Sequence, residues 1–349
     1  MKILVLGDLH VHNHQAMGGT ITNGLNARCR DLIRSIKTVI ADNQPDAIVQ
    51  LGDFFDTAKP IPAVYTAAFE LIASSKVPWY ILAGNHDIST LGSPSAIRPL
   101  ATLPNVTVFE QPALFHIGSM SCIAVPYCSL DGKQAVQQAK ELLNGKRVTS
   151  AFLHYGLATA TNKGPDYVLF DYADSCYYGH EHTGYASRST SLASHINVGA
   201  FTDFRFSPDG SLRSNHYGGL MVNWSTSFTI ERLIGPLFVH ELPQNPYTVQ
   251  SLCKVIARYK GTSVYIKVSP DRQTFASKLK DLGIVQDYAV RQVSELATTE
   301  EADIDQVVFE RQDPLTNIAQ VIADRLEVGA LAEDEAVHLV KLAKRELSL

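Results

Sequence analysis

The sequence predicts an α/β layered fold over its first two hundred residues. Three observations point to it: apolar runs of strand length recur, amphipathic stretches with helical spacing separate them, and glycine closes most of the runs. The runs are 2–7 (KILVLG), 47–52 (AIVQLG), 78–84 (PWYILAG), 121–127 (SCIAVPY), 149–156 (TSAFLHYG) and 175–180 (SCYYGH). Continuous apolar character without alternation suits strands covered on both faces. The stretches around 28–41, 63–75 and 132–144 supply the covering helices. From 194 to 241 the helical spacing stops. HINVGAF, YGGLMVN, SFTIERL and PLFVHEL read there as consecutive strands, closing the domain with a second, more antiparallel sheet. Pro243, Asn245 and Pro246 mark a boundary. A helix around 247–259, a strand at 262–268 (TSVYIKV), a helix around 273–282 and a strand near 286–293 then form a compact α/β cap. The acidic stretch from Glu295 to Asp305 leads to helices at about 315–326 and 333–347, the first opened by Asp313-Pro314. The expected division is 1–242, 243–297 and 298–349.

Composition removes several function classes. With 349 residues, 45% of them hydrophobic and 19% charged, the chain can bury a core and is not disordered. No apolar run approaches the ~20 residues of a membrane-spanning helix, and MKILVLGD reads into a strand rather than a signal peptide. The five cysteines are scattered without CxxC spacing, which excludes a disulfide framework and fits a reducing cytoplasm. The net charge of −5 is unevenly placed: residues 295–349 hold 13 acidic and 5 basic side chains, so the rest of the chain is open to a polyanion.

The chemistry lies where the strands run out. Gly7-Asp8-Leu9-His10, Gly52-Asp53-Phe54-Phe55-Asp56, Gly84-Asn85-His86-Asp87, His154-Tyr155-Gly156 and Gly179-His180-Glu181-His182 each follow an apolar run. Ligands of α/β sheets bind beyond the carboxyl ends of the strands, so these motifs converge on one region. Imidazole, carboxylate and amide donors without thiolate suit Mn²⁺, Fe²⁺ or Zn²⁺. A carboxylate shared between two ions gives the arrangement used for phosphoester hydrolysis. His12 and His14 follow the first motif in a polar loop and are candidates for substrate contact. His116, His195, His216, His240 and His338 have no motif around them.

This ordered set resembles the calcineurin-like metallophosphoesterase superfamily over residues 1 to about 225. GDLHVH, GDFFDTAKP, GNHD and GHEH further resemble the SbcD-type double-strand-break repair nucleases and their bacteriophage recombination-endonuclease counterparts. The resemblance implies a two-sheet metallophosphoesterase sandwich flanked by helices, with a small α/β capping domain and a C-terminal helical pair. It implies that Asp8, His10 and His182 bind one divalent ion, that Asn85, His154 and His180 bind another, and that Asp53 bridges them, with Mn²⁺ the expected metal and Mg²⁺, Fe²⁺ or Zn²⁺ its rivals. His86 would protonate the leaving oxygen as water attacks phosphorus, and Asp87 would orient His86 or its loop. Asp56 would fix the loop after the second motif. The family's protein phosphatases carry an arginine after that motif; GDFFDTAKP has none, which leaves a diesterase. The implied partners are DNA, a second copy of the chain and an SbcC-type ATPase docked by the C-terminal helices; no membrane is expected. Two alternatives stand beside the nuclease: a small-substrate phosphodiesterase, and a catalytically silent scaffold or DNA-binding protein.

Overall fold

The structure is a computed structural model and describes residues 1–14, 18–90, 93–128, 131–158, 164–182, 186–190, 192–201, 203–204, 219–223, 229–233, 237–239, 264–268, 273–281, 283 and 285–290. The expected helix at 247–259, the acidic stretch and the C-terminal helical pair lie outside the described residues. The chain divides into two compact units, Met1–Asp203 with Asn215–Pro236, and Phe204–Ser214 with Leu237–Leu349. Among the described residues, no helix is long and apolar enough to cross a membrane.

The first unit holds two six-stranded sheets. Its elements in chain order are β1 (Lys2–Leu6), α1 (Ala27–Asn43), β2 (Ala47–Gln50), α2 (Pro62–Ser74), β3 (Trp79–Leu82), β4 (Val106–Phe109), β5 (Ala113–Ile117), β6 (Met120–Val125), α3 (Gly132–Leu143), β7 (Val148–Leu153), β8 (Ala173–Tyr178), β9 (Ala186–Ser189), β10 (Ser194–Asn197), β11 (Gly219–Asn223) and β12 (Thr229–Leu233). The first sheet runs β12-β11-β1-β2-β3-β4, parallel from β1 to β4 and antiparallel at β11 and β12. The second runs β9-β10-β8-β7-β6-β5, parallel from β10 to β6 with antiparallel edges.

Period-two alternation sorts each strand's side chains between layers. In β1, Leu4 and Leu6 pack with Leu32 and Ile36 of α1, Ala68 and Leu71 of α2, and Trp79. Ile3 and Val5 point the other way, into a cluster with Phe152 and Tyr177 of the second sheet. That sheet's far face, with Ile123, Leu153 and Tyr178, is covered by Ala135, Ala139 and Leu143 of α3. The layers are therefore helix, sheet, sheet, helix, and both sheets are buried on two faces, as the unalternating apolar runs require. The apolar faces of α1 and α2 are largely spent in this packing, while Ile61, the residue before α2, is 44% exposed. The helix ends follow local chemistry. Asn26 caps α1 by accepting from the Cys29 amide at 2.9 Å, Pro62 opens α2, and Asp131 caps α3 by accepting from the Gln134 amide at 2.8 Å.

One expectation is corrected. The segments after 194 do not build a separate antiparallel sheet. HINVGAF supplies β10, which lies parallel to β8. YGGLMVN and SFTIERL supply β11 and β12, which extend the first sheet beside β1, with Ile3 opposite Val222. The second sheet is built mainly from 113–197 because β6, β7 and β8 have two apolar faces and must be covered on both.

In the second unit, Leu237–Val239 of the PLFVHEL segment, Val264–Val268 and Asp287–Val290 pair in parallel. The helix Gln273–Asp281 joins the last two strands and buries Ala276 and Leu279.

Candidate metal centre

The site is assembled from the loops that leave β1, β2, β3, β7 and β8 at their carboxyl ends. The loops are sewn together by their backbones. The amides of Leu9 and His10 both donate to the Asp53 carbonyl at 3.0 Å, and the Val11 amide to that of Phe54 at 2.9 Å. Asp87 is fully buried and accepts from the amides of Phe54 (3.2 Å), Phe55 (2.9 Å) and Gly84 (2.9 Å). It therefore ties the third motif, the loop that carries His86, to the second.

Three of the motif glycines seat a side chain from another motif. A Cβ on Gly52 would lie 2.2 Å from His154 Nδ1, one on Gly84 2.0 Å from the Asp53 amide nitrogen, and one on Gly179 2.9 Å from Asp8 Oδ1. The site is thus an interlock in which each loop leaves room for its neighbour's polar group. His10 (φ 46°), Asp53 (φ 50°) and His180 (φ 69°) adopt left-handed backbone, a conformation costly for residues with a Cβ and concentrated at functional sites. We expect Gly84→Ala to drive the Asp53 backbone away. It should cost about 1–3 kcal/mol or more by overpacking and lower metal content with it. Thermal denaturation with elemental analysis checks this; a variant as stable and as metal-rich as the parent would refute the interlock.

Two groups of donors meet at Asp53. In the first, Asp8, His10, Asp53 and His182 offer ligand atoms all within 4.8 Å of one another. His10 Nε2 lies 2.9 Å from His182 Nε2 and 3.8 Å from Asp53 Oδ2, and His182 Nε2 lies 3.3 Å from Asp8 Oδ2. In the second, Asn85 Oδ1 lies 3.0 Å from His154 Nε2 and 2.9 Å from His180 Nδ1, while Asp53 Oδ1 is 3.4 Å from His154 Nε2. Asp53 thus presents one oxygen to each group. His154 donates its Nδ1–H to the Leu51 carbonyl at 2.7 Å, which turns Nε2 toward Asn85 and Asp53.

Electrostatics mark the cluster as a place for cations. Asp8, Asp53, Asp87 and His154 are at most 1% exposed, a costly concentration of ionisable groups. Burial alone would raise Asp53, but His154, His10 and His86 hold it well below the usual carboxylate range. Burial would lower His154, yet Asp53 and Asp8 raise it to about 9. Burial, then the neighbouring His154, lowers His180. Burial, then the charge of Asp53, pushes Asp87 up to about 7. Asp8 Oδ2 is buried and has no hydrogen-bond donor among the described residues. An orphaned carboxylate oxygen among nitrogen and oxygen donors, with no thiolate, fits hard or borderline divalent ions.

His86 stands beside these groups with its side chain 42% exposed. Its amide donates to Asp53 Oδ1 at 2.8 Å, and its Nδ1–H to the Asp56 carbonyl at 2.9 Å. His12 and His14 are half-buried in the loop after β1; His14 Nδ1 is 3.9 Å from Asp56 Oδ2, and burial with nearby Arg28 lowers its pKa to about 3. His116 is exposed on β5. His195 is a buried core residue between Asp171 (2.9 Å) and the Tyr178 hydroxyl (3.0 Å). His216, His240 and His338 lie outside the described residues. Two contacts of the site escaped the motif reading. Asp56 reaches His10 Nδ1 at 3.0 Å. The half-buried Tyr127 lies 6.5 Å, ring to ring, from both His154 and His180. Tyr127 follows the apolar run of β6, so the strand-end rule that located the other residues applies to it as well.

The sequence profile of the calcineurin-like phosphoesterase family matches residues 1–184, which include every motif residue above. The "Probable inactive purple acid phosphatase 29" of Arabidopsis thaliana is 34% identical over 111 residues, 30% of this chain and 28% of that protein. The SbcD subunit of the SbcCD nuclease of Bacillus subtilis (strain 168) is 40% identical over 62 residues, 16% of each chain. The chain therefore spans less than a third of the length of these curated relatives. Among solved structures, a dimetal phosphatase from Danio rerio is similar with a TM-score of 0.45 and 11% identity, over 66% of this chain and 95% of that one. The calcineurin-like phosphoesterase YfkN from Bacillus subtilis is similar with a TM-score of 0.36 and 12% identity, over 66% and 88%.

Proposed function

The chain belongs to the calcineurin-like phosphoesterase family, and from that membership we propose a metal-dependent phosphodiesterase that cleaves DNA, the nuclease subunit of an SbcC/SbcD-type complex. The observation that carries the reading is the pair of donor groups meeting at Asp53. Asp8, His10 and His182 would hold one ion and Asn85, His154 and His180 the other, with Asp53 available to both. When bound, such ions stabilise charge growing on the phosphate and bring the pKa of water toward neutrality. The protein's own part is positional. The Leu51 carbonyl fixes the His154 tautomer, and Asp87 holds the second and third loops in register. His86, as the imidazolium, keeps its Nδ1–H on the Asp56 carbonyl and hands its Nε2 proton to the leaving oxygen, which leaves the ring neutral.

Three features support a DNA diester. No arginine follows Asp56, where Thr57, Ala58 and Lys59 stand. A second α/β unit follows the first. A partial relative is named as part of a nuclease. The rival is a small-substrate phosphodiesterase. The deciding assay offers linear duplex DNA, single-stranded DNA and cyclic nucleotides in turn with Mn²⁺, Mg²⁺ and EDTA. Mn²⁺-dependent DNA cleavage abolished by EDTA is expected; hydrolysis of cyclic nucleotides with DNA left intact would hand the site to the rival.

The proposal extends to a homodimer and to an SbcC-type ATPase docked through 315–326 and 333–347, whose apolar faces in the sequence support it. Deleting 313–349 should abolish co-purification with the ATPase while leaving Mn²⁺-dependent cleavage of single strands. Co-purification of the truncated chain would sink the docking idea. A cytoplasmic setting is supported by Cys29, Cys122, Cys128 and Cys176, all buried and free.

A further inference from the structure

The ring of His10 is claimed from both sides. Its Nε2 faces the group of Asp8, Asp53 and His182, while Asp56 and His86 form a second group with it, their ligand atoms also within 4.8 Å of one another. A neutral imidazole has one lone pair and one N–H, so it cannot serve a cation on each side. The surroundings decide which side takes which. At Nε2 stand two buried carboxylates and a second imidazole. At Nδ1 stands a single carboxylate, with Asp56 Oδ1 at 3.0 Å; the buried Nδ1 has no aligned hydrogen-bond partner among the described residues, and Asp56 Oδ1 is the acceptor within reach of it. His86 adds no ligand there, because its Nδ1–H is given to the Asp56 carbonyl at 2.9 Å and its Nδ1 stays 3.9 Å from Asp56 Oδ1.

We propose that Asp56 is the positioning residue of His10: its carboxylate accepts the Nδ1–H and thereby aims the Nε2 lone pair at the ion held with Asp8, Asp53 and His182. This rests on the two-ion reading above. The loops make the contact reproducible. Val11, next to His10, bridges in parallel to Phe55, next to Asp56, and the Val11 amide donates to Phe54. Carboxylate and imidazole are thus held at a fixed separation by backbone on both sides. The left-handed backbone at His10 is what turns its ring between the two groups. Asp56 Oδ2 faces the other way, 3.9 Å from His14 Nδ1, so the two carboxylate oxygens serve different rings.

The test begins with the metal-free full chain, where long-range proton–nitrogen NMR of the histidine rings reports tautomers without any ion. His10 should carry its proton on Nδ1. In Asp56→Ala that signature should be lost, and calorimetric titration with Mn²⁺ should show one of the two ions bound about 10–100-fold more weakly, the other unchanged. Asp56→Asn, whose amide oxygen can still accept, should restore the Nδ1–H form and most of the affinity, a rescue that a general loosening of the loop would not give. A parent chain with His10 protonated on Nε2 would overturn the proposal. So would an Asp56→Ala chain with both affinities intact, or one that lost a third bound Mn²⁺, since that result would make Asp56 a ligand of a separate site. A parent chain that bound no ion pair would sink the two-ion reading, and this inference with it, before any substitution is made.

Discussion

Asp53→Ala should strip the chain of both ions and lower hydrolysis of a generic bis-aryl phosphodiester by three orders of magnitude or more. The size follows from what the ions contribute, several kcal/mol of transition-state stabilisation at roughly 1.4 kcal/mol per tenfold. The double loss follows from geometry, because Oδ1 lies 3.4 Å from His154 Nε2 in one donor group and Oδ2 3.8 Å from His10 Nε2 in the other. The same carboxylate also holds the His86 amide at 2.8 Å, so the proton donor's loop loosens as well. Asp53→Asn separates charge from backbone, since asparagine tolerates the left-handed φ of 50° that alanine resists. It should keep the fold and still lose most metal. Elemental analysis of the purified variants is the measurement, and two tightly held ions in Asp53→Ala would end the assignment of Asp53 as the shared ligand.

For His86→Ser the expectation is a split: metal content unchanged, hydrolysis down by about 10²–10⁴-fold, the usual worth of a placed general acid. The residue touches the site through its backbone amide, which serine would keep on Asp53 Oδ1, and through Nδ1, which is given to the Asp56 carbonyl, a group in neither donor set. The loss should therefore appear in kcat. It should shrink for substrates whose leaving group is a weakly basic phenolate that departs without a proton. Loss of an ion along with the activity would make His86 a ligand instead.

β1, β2, β3, β7 and β8 were readable because each is a short apolar run with glycine at or just beyond its end, and parallel strands present their carboxyl-end loops on one edge, whereas β4 (VTVF) has no such glycine and was not read. That is why Asp8, Asp53, Asn85, His154, His180 and His182 could be anticipated as neighbours from local sequence alone. What local sequence does not carry is pairing. Val222 lies opposite Ile3 across nearly the whole unit, and no pattern within 219–223 states which sheet it will join. β5 was invisible because Leu114 and His116 are exposed, which dilutes its apolar signal, and β9 because ASRS has none. The contact of Asp56 with His10 was missed for the same kind of reason. It depends on two loops lying side by side, a relation fixed by the bridge between Val11 and Phe55 rather than by either motif.

The division of the donors between the sheets has a consequence for the order in which the chain becomes competent. Asp8, His10, Asp53 and Asn85 leave the first sheet, and His154, His180 and His182 the second. A ribosome therefore delivers the centre in two instalments, and His10 waits for a partner 172 positions downstream. The parallel ladder of β1 to β4 and its helices need nothing beyond residue 109 and can condense early. The ring of donors closes only when Phe152 and Tyr177 dock against Ile3 and Val5, a long-range event that carries the full entropy of joining distant segments. Closure of the donor ring thus reports the meeting of the two sheets rather than the formation of either.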